Sequence, residues 1–304
     1  VSLSFSKLET VISYSNMEGK SISIGVSQMT NGSNVLDSDL KVKTTSESLN
    51  SYIRARVDYQ VNSGVSGDSF TNAQKMVIAL NSIEAKSGGY QVESNWKYNA
   101  SDDCYYLTSG SSTTNLLSVS AGTYYTLFAN NSISFPNVND FKLNLGTESI
   151  NTVLNNINFC IAFEAVQSEY SNITTIEQLT QEMSKLFKDT DTTKGFMVTY
   201  NSQGGTVVNS SIVVGTSGSV KLPTINNVVV EWYKSTNFTS TNKAGESNAT
   251  ITVETNLDLY AKYKENGVFY VFFEANGATS GSMPASMDVS YATSGSVQSG
   301  AYSV

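Results

Sequence analysis

The sequence predicts a mainly β protein: a jelly-roll-like β-sandwich with two inserted helices, followed by small β-rich modules. Three observations predict it. Apolar and polar residues alternate with period 2 in many short runs, only two segments change to a helical period, and a strand-and-turn pattern near residue 196 begins again near 269.

The first run sets the pattern. Val1, Leu3 and Phe5 alternate with Ser2, Ser4 and Ser6, which describes a strand with one apolar face. Further strands are predicted at 11–14, 21–27, 40–43, 51–61, 103–108, 124–128 and 158–167. Within 51–61, Tyr52, Arg54, Arg56 and Asp58 share one face, while Ile53, Ala55, Val57 and Tyr59 share the other. The second set is the predicted core.

Two segments read as helices. In 71–86 the apolar stripe is Ala73, Met76, Val77, Leu80 and Ile83, with Thr71 and Gln74 as a capping box and Gly88-Gly89 as the stop. In 174–188 the stripe is Ile176, Leu179, Met183, Leu186 and Phe187. Thr174 and Glu177 cap its start, and Lys185 and Lys188 suit the negative end of the macrodipole. The polar run 189–195 reads as a linker, so the predicted domains are 1–190, 195–265 and a partial module at 267–304.

Composition narrows the function classes. Charged residues make up 14% of the 304-residue chain and the net charge is −8, so the clustered Lys or Arg that nucleic acid requires is missing. No apolar run is long enough to span a bilayer. The 39% hydrophobic and 11% aromatic content opposes disorder. The chain begins at Val1, as a mature product does after removal of a targeting segment, and an extracellular location is expected.

Candidate chemistry is sparse. The sequence contains no histidine, which removes Ser-His-Asp and Cys-His arrangements and every imidazole-dependent zinc site. Cys104 and Cys160 are a candidate disulfide, whose long loop would be worth about 4 kcal/mol; two buried apolar thiols are the equal alternative. Asp102-Asp103 and Asp189/Asp191 are the densest acidic pairs, and solvated turn carboxylates are the expected reading. Glu164 lies in an otherwise apolar strand and reads as a buried or interface carboxylate rather than a glycosidase acid. Gly204-Gly205 precedes no helix and is a turn. Trp232 and Tyr233 offer a sugar-stacking platform. No catalytic residue, cofactor or metal is assigned, and the chain is read as no enzyme.

Residues 196–263 contain Val198-Thr-Tyr, the turn Asn201-Ser-Gln-Gly-Gly205, Leu222-Pro223, Trp232-Tyr233 and Leu257-Asp-Leu-Tyr-Ala-Lys-Tyr263. This order resembles the Listeria–Bacteroides, or internalin B type, repeat of bacterial surface proteins, although Val228, Val229, Val230 and Glu231 stand where a Gly usually leads into the Trp. The resemblance implies a compact β-grasp-like sheet module that acts as a spacer or binding unit, with Trp232 and Tyr233 in core and strand positions. Phe269-Tyr-Val-Phe-Phe-Glu-Ala starts the pattern again, with Val271 placed 73 residues after Val198. That second copy has Val271, Phe273 and Ala275 on one strand face but no counterpart of Trp232-Tyr233, so its missing strands are expected from further chain or from a neighbouring subunit.

The first 190 residues carry a second pattern: Ser51-Tyr-Ile-Arg-Ala-Arg-Val57, Trp96 ahead of Asp102-Asp-Cys-Tyr-Tyr-Leu107, a run over 116–128 with the Ala121-Gly122 turn, and Ile161-Ala-Phe-Glu-Ala-Val-Gln167 before a helix. The order is similar to the TasA/camelysin group of Gram-positive secreted proteins, and departs from it in low Lys content and in the polar turn Asn31-Gly-Ser-Asn34. The resemblance implies an exported jelly-roll subunit that polymerises into matrix fibres, using an N-terminal segment as a strand in the next subunit. Val1, Leu3 and Phe5 match such a donor strand. The expected partners are copies of the chain itself, with other matrix or cell-wall components. A monomeric adhesin with a repeat spacer is the alternative, and the camelysin protease activity is disfavoured by the absence of histidine.

Overall fold

In the computed structural model, residues 10–13, 21–25, 32–35, 41–44, 50–83, 90–110, 115–120, 123–129, 132–168, 172–186, 194–263, 268–271 and 287–290 are described. They are mainly β, with three α-helices. They fall into two units: 1–140 with 145–194, and 141–144 with 195–304.

The first unit contains β1 (Thr10–Ser13), β2 (Ser21–Gly25), β3 (Gly32–Val35), β4 (Lys41–Thr44), β5 (Ser51–Val61), α1 (Gly67–Ile83), β6 (Trp96–Asn99), β7 (Cys104–Leu107), β8 (Tyr125–Thr126), β9 (Ser132–Phe135), α2 (Ile150–Leu154), β10 (Ile157–Gln167) and α3 (Ile176–Leu186). Its centre is an antiparallel sheet of order β2-β10-β5-β7-β6. The long strands β5 and β10 pair from Ile157↔Val61 to Gln167↔Ser51. Smaller sheets have the orders β1-β4-β8 and β3-β9. Val1, Leu3 and Phe5, the candidate donor positions, lie outside the described residues, as do Asp189 and Asp191.

Alternation along β5 determines which neighbours each side chain meets. Ile53, Ala55, Val57 and Tyr59 are fully buried, as predicted, and share their face with Tyr105, Phe159 and Phe163. Tyr59 packs on Phe159 with centroids 5.3 Å apart, and Trp96 on Phe163 at 6.1 Å. Helix α1 packs against β5 and buries Ala73, Met76, Val77 and Leu80. On the opposite face Arg54, Arg56 and Asp58 are buried as well.

Helix starts differ from those predicted. Helix α1 begins at Gly67, so Thr71 is no cap: its hydroxyl donates back to the Gly67 carbonyl within the helix. Asp68 in the first turn complements the positive helix end instead. At α3 the capping box is one residue later than expected. The Gln178 N–H donates to Thr175 Oγ1, and Gln178 Oε1 accepts from the Thr174 and Thr175 backbone N–H groups. Helix α2 was not predicted; its five residues bury only Val153, too little for a period to register. Ser149 caps it by accepting from the Thr152 N–H at 3.2 Å.

The second unit contains β11 (Gly195–Asn201), β12 (Ser211–Val214), β13 (Gly218–Lys221), β14 (Val230–Tyr233), β15 (Lys243–Glu246), β16 (Thr250–Val253), β17 (Leu257–Tyr263), β18 (Val268–Val271) and β19 (Met287–Ser290). Its main sheet has the order β12-β11-β17-β14-β15. Strands β11 and β17 pair in parallel, so the two ends of the module meet side by side (Val198↔Leu257 to Asn201↔Tyr260). Strands β13 and β16 form a separate pair, and β18 pairs with β19. Among its described residues this unit has a three-residue 3-10 turn at Ser240–Asn242 and no α-helix. Phe273 and Ala275 are outside the described residues.

Candidate functional site

Among the described residues, a dense grouping of titratable side chains lies on the charged face of β5. Arg54 sits opposite Glu164 on β10 and opposite Tyr106 on β7. Its Nε donates to Glu164 Oε2 at 2.5 Å, and one terminal nitrogen donates to Asp102 Oδ2 at 2.9 Å. Arg56, two residues along the same face, donates to Glu164 Oε1 at 3.2 Å. Glu164 therefore bridges two guanidinium groups, and Arg54 bridges two carboxylates. The Tyr106 hydroxyl donates to Asp102 Oδ2 at 2.5 Å and accepts from Thr180 Oγ1 at 3.0 Å, which in turn accepts from Asn99 Nδ2.

Helix α3 closes over this layer. Ile176, Leu179 and Met183 are buried with Cys104, Tyr106 and Val166, and the Tyr52 hydroxyl donates to the Ile173 carbonyl just before the helix. Thr180 therefore connects the cover to the ionic layer.

The local field follows from this packing. Burial opposes the Arg54 charge, yet the surrounding Cys104, Glu164 and Tyr106 outweigh it and hold the guanidinium above its ordinary range. Burial, with a smaller push from Asp102, raises the Cys104 thiol to about 12 against the pull of Arg54 and Arg56. Burial and the hydrogen bond to Asp102 also raise Tyr106. A thiol with such a pKa is protonated at neutral pH and is not a nucleophile. The arrangement is suited to locking strands and helix together: each acid in it is held against a guanidinium or a hydroxyl.

Two expectations are corrected here. Asp102 is not a solvated turn carboxylate, because its side chain is only 11% exposed and is held by Arg54 and Tyr106. Its neighbour Asp103 accepts from the Tyr98 hydroxyl at 2.8 Å. The candidate disulfide is not formed either. Cys104 is opposite Arg56 on one side of β5 and Cys160 opposite Asp58 on the other, so a whole strand separates them. Two strand spacings are roughly 9–10 Å, beyond the Cα separation a disulfide spans. They are two separate buried thiols. Arg54, Arg56 and Asp58 were missed as a buried set because alternation assigns a face without saying what covers it. The one available signal was Glu164 in an apolar strand, and here it is partly buried and paired.

Among the described residues, no group of three or more Cys, Asp or Glu side chains is placed to hold a metal ion, and no helix is long and apolar enough to cross a membrane. In the second unit, Trp232 and Tyr233 are core residues. Trp232 is fully buried, its Nε1 donates to the Pro223 carbonyl at 2.9 Å, and Tyr200 stands edge-on at 5.1 Å. The Asn201–Gly205 turn is held by the Ser202 hydroxyl donating to the Gly205 carbonyl, with Gln203 and Gly204 at positive φ.

Edges matter as much as side chains for a sheet protein. The central sheet ends at β2 and β6, and among the described residues each of these pairs along one side only. No protein-family model matches the chain, and no curated protein or solved structure matches it.

Proposed function

We propose that the chain is a secreted structural subunit of an extracellular fibre or biofilm matrix, assembling by β-strand addition between subunits. In this reading the first unit is a jelly-roll-like domain and the second a surface repeat. Val1, Leu3 and Phe5 form the donor strand, and the acceptor is a terminal strand of a neighbour's central sheet. The observation that carries the reading is that, among the described residues, this sheet ends in strands paired on one side, which offers backbone donors and acceptors to an added strand. A second observation favours a structural over a catalytic role: among the described residues, Arg54, Arg56, Asp102 and Glu164 form a largely buried cluster of mutual ion pairs. Rigid subunits keep their edges in register as a polymer grows.

Electron microscopy and sedimentation of the full chain, with and without residues 1–6, test the proposal. Filaments from the full chain and monomers from the truncated one are expected. A full chain that remains monomeric at high concentration overturns it and leaves the monomeric adhesin.

A further inference from the structure

A cleft of about 560 Å³ opens in the first unit between the segments around Glu93–Asn95, Thr108–Gly110 and Tyr124–Thr126. That volume is within the usual range for small-ligand sites. Its walls are fixed to one another. The Thr108 N–H and hydroxyl both donate to the Asn95 carbonyl, at 2.7 and 2.9 Å. Trp96 Nε1 donates to the Thr126 carbonyl at 2.8 Å, and the Glu93 N–H to the Leu127 carbonyl at 2.9 Å. Backbone segments tied together in this way limit the ordering cost of binding.

Three features of the lining point to one ligand chemistry. Tyr124 is 50% exposed, a large aromatic surface left in contact with water, and Tyr125 beside it is half-buried. The buried side-chain oxygen of Asn95 has no hydrogen-bond partner among the described residues. A buried carbonyl oxygen without a donor is costly, so a ligand N–H or O–H that drew it out would gain more than an ordinary exchange with water. Finally, Lys and Arg are absent from the lining, and Glu93 is the single charged group. Phosphates, sulfated chains and nucleic acid therefore have no counter-charge here.

We propose that this cleft binds a short segment of a neutral polysaccharide. A pyranose ring presents an apolar C–H face to Tyr124 and an equatorial ring of hydroxyls to Asn95, Ser94, Ser109 and Glu93. The aromatic supplies area and the polar side chains supply orientation. This inference is independent of polymerisation, because the lining residues named here all belong to one subunit.

The test is calorimetric titration of the full chain with cellotriose, chitotriose and maltotriose, with glucose and inorganic phosphate as controls. At least one trisaccharide is expected to bind with a Kd on the order of 1 mM or tighter, more tightly than glucose, while phosphate does not bind. Tyr124→Ala should weaken binding roughly tenfold, Tyr124→Phe should retain it, and Asn95→Ala should weaken it while leaving Tyr124 stacking intact. Unchanged circular dichroism shows that the variants fold. Absence of binding by all three trisaccharides overturns the proposal, as does equal binding by Tyr124→Ala.

Discussion

The two faces of β5 are buried to nearly the same extent and built from opposite chemistries. On one, Ile53, Ala55, Val57 and Tyr59 are 0% exposed; on the other, Arg54, Arg56 and Asp58 are 2%, 7% and 3% exposed. The apolar face gains stability from every contact it makes and loses it gradually, in proportion to the volume removed. The charged face behaves differently. Its attraction does little more than offset desolvation, so the layer is tolerable only while every partner is present. The same strand thus carries a core that fails by degrees and a core that fails by pairs.

The sharpest way to break this comparison is to delete one member of the charged layer. Arg54→Ala is expected to destabilise the first unit by about 3–5 kcal/mol, because Asp102 loses its cation and Glu164 keeps only Arg56. Arg54→Met restores most of the volume and should be almost as damaging in urea unfolding. A near-neutral Arg54→Met would show that packing, rather than charge pairing, sustains this face.

On the apolar face the effect should be graded. Ile53→Ala is expected to cost about 2–5 kcal/mol and Ile53→Val about 0.5–1.5 kcal/mol, measured by the same unfolding curves. Equal losses for the two substitutions would contradict a cavity-dominated mechanism.

Alkali should expose the charged face selectively. The Cys104 thiol is raised from 9.0 to about 12, chiefly by burial, so the folded state holds this proton more tightly than the unfolded state does. The associated stability is complete below pH 9 and is lost as the pH rises through about 12. Unfolding free energies measured across that window should fall less steeply in Cys104→Ala than in the parent chain. Parallel slopes would remove Cys104 from the account.

The link from α3 to the ionic layer should matter less. Thr180→Val removes the hydroxyl between Asn99 and Tyr106 and should cost about 1 kcal/mol. Hydrogen exchange would show it as faster opening of 176–186 while β5 stays protected; no change in α3 would mean that Ile176, Leu179 and Met183 alone hold it. The smallest effect is expected in the second unit. Hydrogen bonds from Lys243 and Tyr233 lower the Glu231 pKa, so its contribution is present above the ordinary carboxylate range and fades as pH falls through the lowered value. Glu231→Gln should therefore lower stability slightly at neutral pH, and leave stability below the lowered pKa close to that of the parent, in unfolding curves taken at both pH values.

Local pattern made much of this legible. Period 2 located Ser51–Val61 and the Ile53-to-Tyr59 core, and period 3.6 located α1 and α3, because a regular strand or helix fixes which side chains share a face. Burial of Trp232 was expected from the place of the Trp232-Tyr233 pair in the repeat pattern. Where a helix starts was less legible. Ser, Thr and Gln are so frequent around 66–74 and 174–178 that several cap pairs compete, and the backbone hydrogen bonds choose between them.

By itself the sequence determined that the chain is mainly β, which residues of each strand lie together, and that histidine chemistry is closed to it. Only the tertiary structure decided that α3 covers the polar face of β5, that Glu164 and Asp102 converge on Arg54, and that β5 separates Cys104 from Cys160. The reason is range. Alternation is a property of neighbouring residues, whereas Arg54 meets a carboxylate 110 positions away, and only the pairing of distant strands brings the two together.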